Sequence, residues 1–154
     1  MTCFLLAAEE RKIAFRTLCI EQVSGIEKVF IPSANGSKSE EIPLYTDISP
    51  VVQGVFKSNE AAFYIEKMGA DGKPVLELVG KTSIGKSDRQ LFVFLPAEPG
   101  DGKPVYQVQS FDDDTTTFAM GNIRAINLAP VPVRFVLSGA TSSEILPEEY
   151  AQFP

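Results

Sequence analysis

One pentapeptide occurs twice in this chain, first as Asp71-Gly72-Lys73-Pro74-Val75 and again as Asp101-Gly102-Lys103-Pro104-Val105. Each copy lies between two runs in which apolar and polar residues alternate: residues 63–67 and 75–79 around the first, and 91–95 and 105–109 around the second. Asp-Gly favours a tight turn, because Asp tolerates the left-handed backbone and Gly adopts it without steric cost. The repeat therefore predicts a chain of antiparallel hairpins.

The remaining sequence extends this pattern to about nine or ten strands. The predicted strands are residues 12–20, 28–31, 42–45, 51–56, 61–67, 75–79, 89–95, 105–111, 121–128 and 131–137. Asn35-Gly36 is a strong hairpin signal, and Gly54 indicates a bulge or a close approach of another segment. We expect the last two strands to pair with each other, with bends at Pro130 and Pro132.

Short strands separated by Gly and Pro are typical of a β-sandwich. Because no segment keeps a helical period over three turns, helix is limited to one short piece, at residues 148–152 or near 118–120. The tail from Pro147 is also a candidate for a last short strand. We expect an all-β, immunoglobulin-like antiparallel β-sandwich that forms a single domain over residues 9–154. Its predicted core includes five aromatic residues on the strand patterns, Phe63, Phe92, Phe94, Phe111 and Phe135.

Composition excludes several classes of partner. The chain has 154 residues, of which 44% are hydrophobic, as expected for one globular domain. Its net charge of −6 repels phosphate backbones, so we expect no nucleic-acid partner. The sequence also contains no apolar run of about 18 residues that would span a membrane.

The chain contains no histidine and two cysteines, Cys3 and Cys19. The lack of histidine removes the commonest general base, the commonest zinc ligand and every Ser-His or Cys-His pair. Two cysteines without a CxxC spacing are too few for a zinc site or a disulfide framework, although one Cys3–Cys19 bridge stays open. We therefore expect no enzyme activity, no cofactor and no metal.

Residues 1–8 form a short apolar run that ends in small residues, and four charged residues follow it. This layout resembles the tail of a secretory signal peptide without its basic region. The alternative is a first strand or helical turn that packs on the core. Under the first interpretation, we expect an exported protein of the periplasm or the cell surface.

Residues 80–87, Gly-Lys-Thr-Ser-Ile-Gly-Lys-Ser, match the phosphate-binding P-loop pattern letter for letter. A P-loop surrounds phosphate with backbone N–H groups at the start of a helix. The residues after this match, up to Pro96, are aromatic and β-branched and predict a strand. We therefore interpret the segment as a polar connection between two strands.

Two other clusters were weighed for chemistry. Asp112-Asp113-Asp114, followed by three threonines, offers oxygen ligands for Ca²⁺, but adjacent residues of an extended chain point to opposite faces. The alternative is a solvated loop with a helix cap. Ser-Lys catalysis through Lys81, Ser83, Lys86 and Ser87 would require a desolvated lysine, whereas these residues lie in a polar segment. No pair of carboxylates is singled out for glycoside hydrolysis.

Two stretches resemble a known group of proteins. Residues 120–139 contain Arg124-Ala125-Ile126-Asn127-Leu128, a Pro-Val crossover and a strand that ends in Gly139. This segment is similar to small exported β-sandwich proteins of bacterial envelopes, including immunoglobulin-like periplasmic modules. Residues 85–96 resemble exported proteins of verrucomicrobia, among them a protein associated with a type IV pilus locus. The resemblance implies an envelope location and carries no catalytic residue.

Our leading hypothesis is a non-enzymatic envelope or cell-surface protein that acts by protein–protein contact, in pilus or adhesion assembly. The loops at residues 71–73, 86–89 and 112–114 are the candidate contact sites, because loops on rigid scaffolds carry function. The alternative is a small-ligand or carbohydrate-binding module, with a carboxylate- or lysine-based enzyme as a further possibility. The absence of Trp, a common sugar platform, argues against a lectin.

Overall fold

The computed structural model describes residues 10–32, 41–137 and 142–154. Contacts divide the chain into two compact units, which meet in sequence between Asp113 and Asp114. Residues 1–8, Cys3 and the predicted turn at Asn35-Gly36 lie outside the described residues. The sequence predicts a single domain over residues 9–154. The division into two compact units does not test that prediction.

The described residues form twelve strands rather than nine or ten. They are β1 Glu10–Cys19, β2 Lys28–Phe30, β3 Glu41–Pro43, β4 Val52–Lys57, β5 Glu60–Met68, β6 Pro74–Ser83, β7 Arg89–Pro96, β8 Tyr106–Asp112, β9 Ile123–Ile126, β10 Val133–Val136, β11 Ser142–Ile145 and β12 Tyr150–Phe153. The sequence pattern missed β11. The tail forms the strand β12, so the helix considered at 148–152 is wrong, and residues 118–120 likewise lie outside any helix.

The first unit is a sandwich of two four-stranded sheets, which confirms the all-β sandwich prediction. One sheet has the order β4-β1-β7-β8 and the other β3-β2-β5-β6. The expectation of antiparallel neighbours throughout is wrong at one place, because β1 and β7 run parallel in the middle of the first sheet. Turn signals report only on strands that follow each other in the chain, and these two strands are far apart in sequence.

Aromatic rings from both sheets meet in the core of this unit. Phe63 on β5 lies 5.3 Å from Phe92 and 4.9 Å from Phe94, both on β7 of the opposite sheet. Phe15 on β1 packs beside Phe92 at 5.2 Å. The core predicted from the strand patterns is therefore confirmed for Phe63, Phe92 and Phe94, which are fully buried, and for Phe111, which is 4% exposed. Phe135 is only partly buried.

Both repeated Asp-Gly turns form as predicted. Gly72 and Gly102 have φ values of 76° and 72°, in the left-handed region that favours glycine. The first turn joins the antiparallel strands β5 and β6, and the second joins β7 and β8. The register of β5 and β6 shifts between Phe63 and Tyr64, where β6 carries one extra residue.

The second unit contains two two-stranded sheets, β12-β9 and β10-β11. The expected pairing of the last two predicted strands, now β9 and β10, is therefore wrong. The side chain of Asn127 explains this, because its Nδ2 donates to the carbonyls of Val131 (2.8 Å) and Ile145 (2.9 Å). The Ala129 N–H donates to its Oδ1 at 2.9 Å. These bonds fold the chain after β9 into a loop in place of a tight turn.

Arg124, three residues before Asn127, lies between two aromatic rings. Its guanidinium carbon is 4.4 Å from the centre of the Phe118 ring and 4.5 Å from that of Tyr150. In the amide orientation that satisfies both of its partners, Gln152 accepts from Arg124 and donates to the Thr117 carbonyl, each at 2.8 Å. The Arg-x-x-Asn pattern of the sequence thus has a structural role within this unit.

Gly80 on β6 sets how closely the two sheets approach along one side of the sandwich. A Cβ at this position would lie 2.6 Å from Val108 Cγ2 and 3.3 Å from the Tyr106 carbonyl oxygen on β8. Gly54 on β4 is a second close approach, since a Cβ there would lie 2.7 Å from Ile31 Cδ1. The predicted role of Gly54 as a close-approach site is confirmed.

We expect Gly80→Ala to lower the free energy of unfolding by about 1–3 kcal/mol, because the new methyl group overpacks the contact with Val108. Urea unfolding measures the effect. Val108→Ala alone serves as the control, and in the double variant the cost should be smaller than the sum, because the clashing methyl is gone. Strictly additive costs would contradict this account.

Candidate functional site

The P-loop-like segment is half strand and half connection. Gly80 to Ser83 continue β6, and only residues 84–88 connect β6 to β7. The segment was expected to be a polar connection throughout, so that expectation is wrong for its first four residues. A strand, not a helix, follows it, as the sequence predicted.

The connection wraps around a cation of the chain itself. The guanidinium of Arg11, on β1, donates to the carbonyls of Gly85 (2.7 Å), Lys86 (2.7 Å) and Ser87 (2.9 Å). It also pairs with the carboxylate of Asp88 at 3.0 Å. A P-loop directs N–H groups at an anion, whereas here carbonyl oxygens converge on a positive charge. The same sequence motif therefore forms a site that binds a positive charge, and the guanidinium of Arg11 occupies it.

Gln90, at the start of β7, holds the connection from the other side. Its side chain is fully buried. Its Nε2 donates to the Ser87 carbonyl (2.7 Å) and to Asp112 Oδ1 (2.6 Å), and its Oε1 accepts from the Gly85 N–H (3.2 Å). A Cβ on Gly85 would collide with the Asp112 carboxylate. The second glycine of the motif thus makes room for a polar network, not for phosphate.

The three adjacent aspartates bond to different partners and do not converge on one point. Asp112 accepts from Gln90 and from the Ser87 N–H at 3.0 Å. Asp113 forms two bonds of 2.7 Å with the guanidinium of Arg16, and this hydrogen bonding raises the pKa of Arg16. Asp114 accepts from the N–H and the hydroxyl of Thr116, each at 2.8 Å. Within the described residues, no three acidic or sulfur ligands cluster as a metal site would require.

Cys19 and Lys81 each contact another group of the fold. The thiol of Cys19 is buried and donates to the Glu21 carbonyl at 3.2 Å. Burial raises the pKa of Cys19, so the thiol stays protonated at neutral pH. Lys81, one of the lysines weighed for Ser-Lys catalysis, is exposed and lies 3.4 Å from the Glu60 carboxylate.

An open cleft of about 640 Å³ lies on the first unit. Its lining carries three carboxylates, one lysine and the ring of Tyr45, which is 49% exposed. Lys28 pairs with Glu41 within it. The lining residues are Gln22, Gly25, Ile26, Glu27, Lys28, Phe30, Glu41, Pro43, Leu44, Tyr45, Ile65 and Glu66. Sequence patterns did not point to this cleft, because its residues come from separate loops and strands.

The far end of the β5–β6 hairpin, residues 66–77, is exposed on both faces; we call it the distal hairpin. Met68 is 75% exposed, Leu76 53% and Val75 48%. Lys67 and Glu77 form an ion pair of 2.8 Å across the two strands. The sequence analysis selected the turn at 71–73 inside this segment. The signal it missed is the run Val75-Leu76-Glu77-Leu78, in which apolar residues occupy both faces of a strand.

The loops at 86–89 and 112–114 were also predicted contact sites. The structure brings the first of them against Arg11 and joins Ser87 to Asp112, so most of their polar groups serve internal bonds.

Among the described residues, no helix is long and apolar enough to cross a bilayer. No protein-family model matches the chain, and no curated protein matches it.

We expect Arg11→Ala to lower the free energy of unfolding by about 2–3 kcal/mol, because three carbonyls lose a charged donor. Arg11→Lys should recover only part of the loss, since an ammonium group cannot reproduce the planar fork of bonds. Lys81→Ala is the matched control, and removal of its exposed ion pair should cost less than about 1 kcal/mol. Urea unfolding measures all three variants, and equal effects of Arg11→Ala and Lys81→Ala would refute the role of Arg11.

Proposed function

We propose that this protein is a non-enzymatic β-sandwich that acts by contact with another protein, and that the distal hairpin is its contact surface. The observation that carries the proposal is the exposure of Met68, Val75 and Leu76 on one two-stranded ribbon. Large apolar side chains grouped on a surface mark sites of protein interaction. The packed aromatic core supports the same proposal, because it leaves contact to the surface of the sandwich.

The position of β6 adds a second reason. β6 is the edge strand of its sheet, and β5 is the strand hydrogen-bonded to it in the described part of the chain. An edge strand offers backbone N–H and C=O groups to which an extended segment of a partner can add. Apolar side chains beside such an edge give the added segment a surface on which to pack.

We further propose that the contact takes place in the bacterial envelope, in the periplasm or at the cell surface. The support is the resemblance of residues 85–96 and 120–139 to exported β-sandwich proteins. A role in pilus or adhesion assembly and an immunoglobulin-like topology belong to this proposal as well.

A photo-crosslinking amino acid at position 76, in cells that produce the full chain, should capture a specific protein from the envelope fraction. The same amino acid at position 48 is the control, because Ile48 is similarly exposed, at 47%, and lies outside the distal hairpin. We expect no capture there. Capture of the same proteins at both positions, or of no protein at position 76, would refute the proposal. A cytosolic partner would refute the envelope location.

A second candidate function is binding of a carbohydrate in the cleft that contains Tyr45. The exposed ring supplies a platform for a sugar face, and the carboxylates of Glu27, Glu41 and Glu66 supply acceptors for sugar hydroxyls. The cleft also has the volume of a small-ligand site.

Calorimetry with oligosaccharides selected on a glycan array would test this candidate. We expect Tyr45→Ala to weaken binding about tenfold, the effect of losing roughly 1.4 kcal/mol of ring contact. Met68→Ala, which removes an exposed side chain outside the cleft, should leave the affinity unchanged. Flat titrations at millimolar sugar, or equal losses in both variants, would exclude the cleft as a sugar site.

A further inference from the structure

The hydrogen bonds of the β5–β6 hairpin show which backbone groups face its open edge. The Gly69 N–H donates to the Lys73 carbonyl at 2.8 Å, and the Ile84 N–H donates to the Asn59 carbonyl at 2.8 Å. Hydrogen-bonded pairs alternate along an antiparallel ladder. Counting from Gly69 in one direction and from Asn59 in the other therefore gives the same result: the odd-numbered residues of β5 are the ones whose backbone bonds to β6. Val75 and Glu77 bond inward to β5. The backbone groups of Pro74, Leu76 and Leu78 therefore point outward, away from β5.

Side chains also alternate along each strand, and this alternation determines which face of the hairpin each side chain occupies. Ala61 and Phe63 on β5 are buried and face the core, so the outward-bonding residues of β6 lie on the opposite face. Pro74, Leu76 and Leu78 therefore form a continuous apolar row beside the open edge. Tyr64, Glu66 and Met68 of β5, which pair with Leu78, Leu76 and Pro74, share this face, so the carboxylate of Glu66 lies beside Leu76 within the same chain.

We propose that a second copy of this chain occupies this edge, and that two β6 strands pair antiparallel about a two-fold axis at Leu76. This inference rests on the proposed function, because it names the partner of the distal hairpin. In this register Leu76 faces Leu76 of the second copy, and Pro74 faces its Leu78. Every residue of the apolar row then meets an apolar residue, as a self-complementary interface requires.

The backbone supports the same register. The two Leu76 residues exchange two N–H···O bonds, and each Pro74 carbonyl accepts from the Leu78 N–H of the other copy, which makes four bonds. A register centred on Val75 makes only two, because Pro74 has no N–H to donate. A register centred on Glu77 sets two carboxylates directly opposite each other, which is unfavourable. The arrangement about Leu76 satisfies the most groups without opposing like charges.

Charge sets the strength of this contact. Lys73 of one copy and Glu77 of the other lie diagonally across the new ladder, within reach of long side chains. Each chain nevertheless carries a net charge of −6, and the contact is a single pair of strands. Small interfaces between like-charged chains are weak, so we expect a concentration-dependent dimer that salt strengthens by screening the net repulsion.

Sedimentation velocity over a concentration series tests the dimer with paired charge variants of the full chain. The wild type should shift from monomer towards dimer as its concentration rises. Leu76→Lys alone and Leu76→Glu alone should stay monomeric, because like charges then face each other across the axis. An equimolar mixture of the two variants should form a heterodimer. Val51→Lys, at a position of similar exposure outside the edge, should dimerise as the wild type does.

A wild type that stays monomeric at millimolar concentration would overturn the inference, as would Leu76→Lys dimers or a mixture without heterodimers. The crosslinking experiment separates this failure from failure of the proposed function. Capture of a different protein at position 76 with a monomeric wild type leaves the proposed function standing. A dimer without such capture assigns the edge to self-association alone.

Discussion

The contact of Phe63 with Phe92 and Phe94 joins the two sheets of the first unit, and the rest of that unit depends on it. These rings are fully buried between the sheets, where aromatic side chains contribute a large apolar area to the core. Within the described residues, the surface of this unit offers a cleft lined by Tyr45 and an edge strand, β6, that is hydrogen-bonded to β5 alone. The same packing fixes β5, and so determines that the far end of its hairpin extends beyond the core.

The segment at residues 80–87 shows why a motif needs its structural context. Gly80 allows β6 to approach β8, and Gly85 accommodates Asp112 and Gln90. Both glycines are therefore required for packing within the fold. The carbonyls of the connection bind Arg11, so the local charge that this loop recognises is positive. Whether such a loop binds anions or cations depends on whether its N–H groups or its carbonyl groups point inward. The motif by itself does not specify that orientation.

The distal hairpin combines attractive and protective features. Pro74 removes one outward donor from the open edge, a common device against unspecific strand addition. Lys67 and Glu77 place charge on its core-side face. Leu76 and Leu78 keep their outward groups and their apolar side chains. This edge lacks an outward donor at Pro74 and keeps outward backbone groups at Leu76 and Leu78. Such an edge can favour one register of strand pairing, and a single register distinguishes specific pairing from aggregation.

The sequence by itself determined most of the strands and the two Asp-Gly turns, because period-two patterns and Asp-Gly dipeptides act over a few residues. It predicted the two repeated hairpins, the aromatic core and the strand after the P-loop-like match. Only the tertiary structure decided the parallel neighbours β1 and β7, the separation of β9 from β10 by the bonds of Asn127, and the binding of Arg11 by a loop 74 residues away from it in sequence. Those features arise from contacts between distant parts of the chain, whose partners no local pattern identifies.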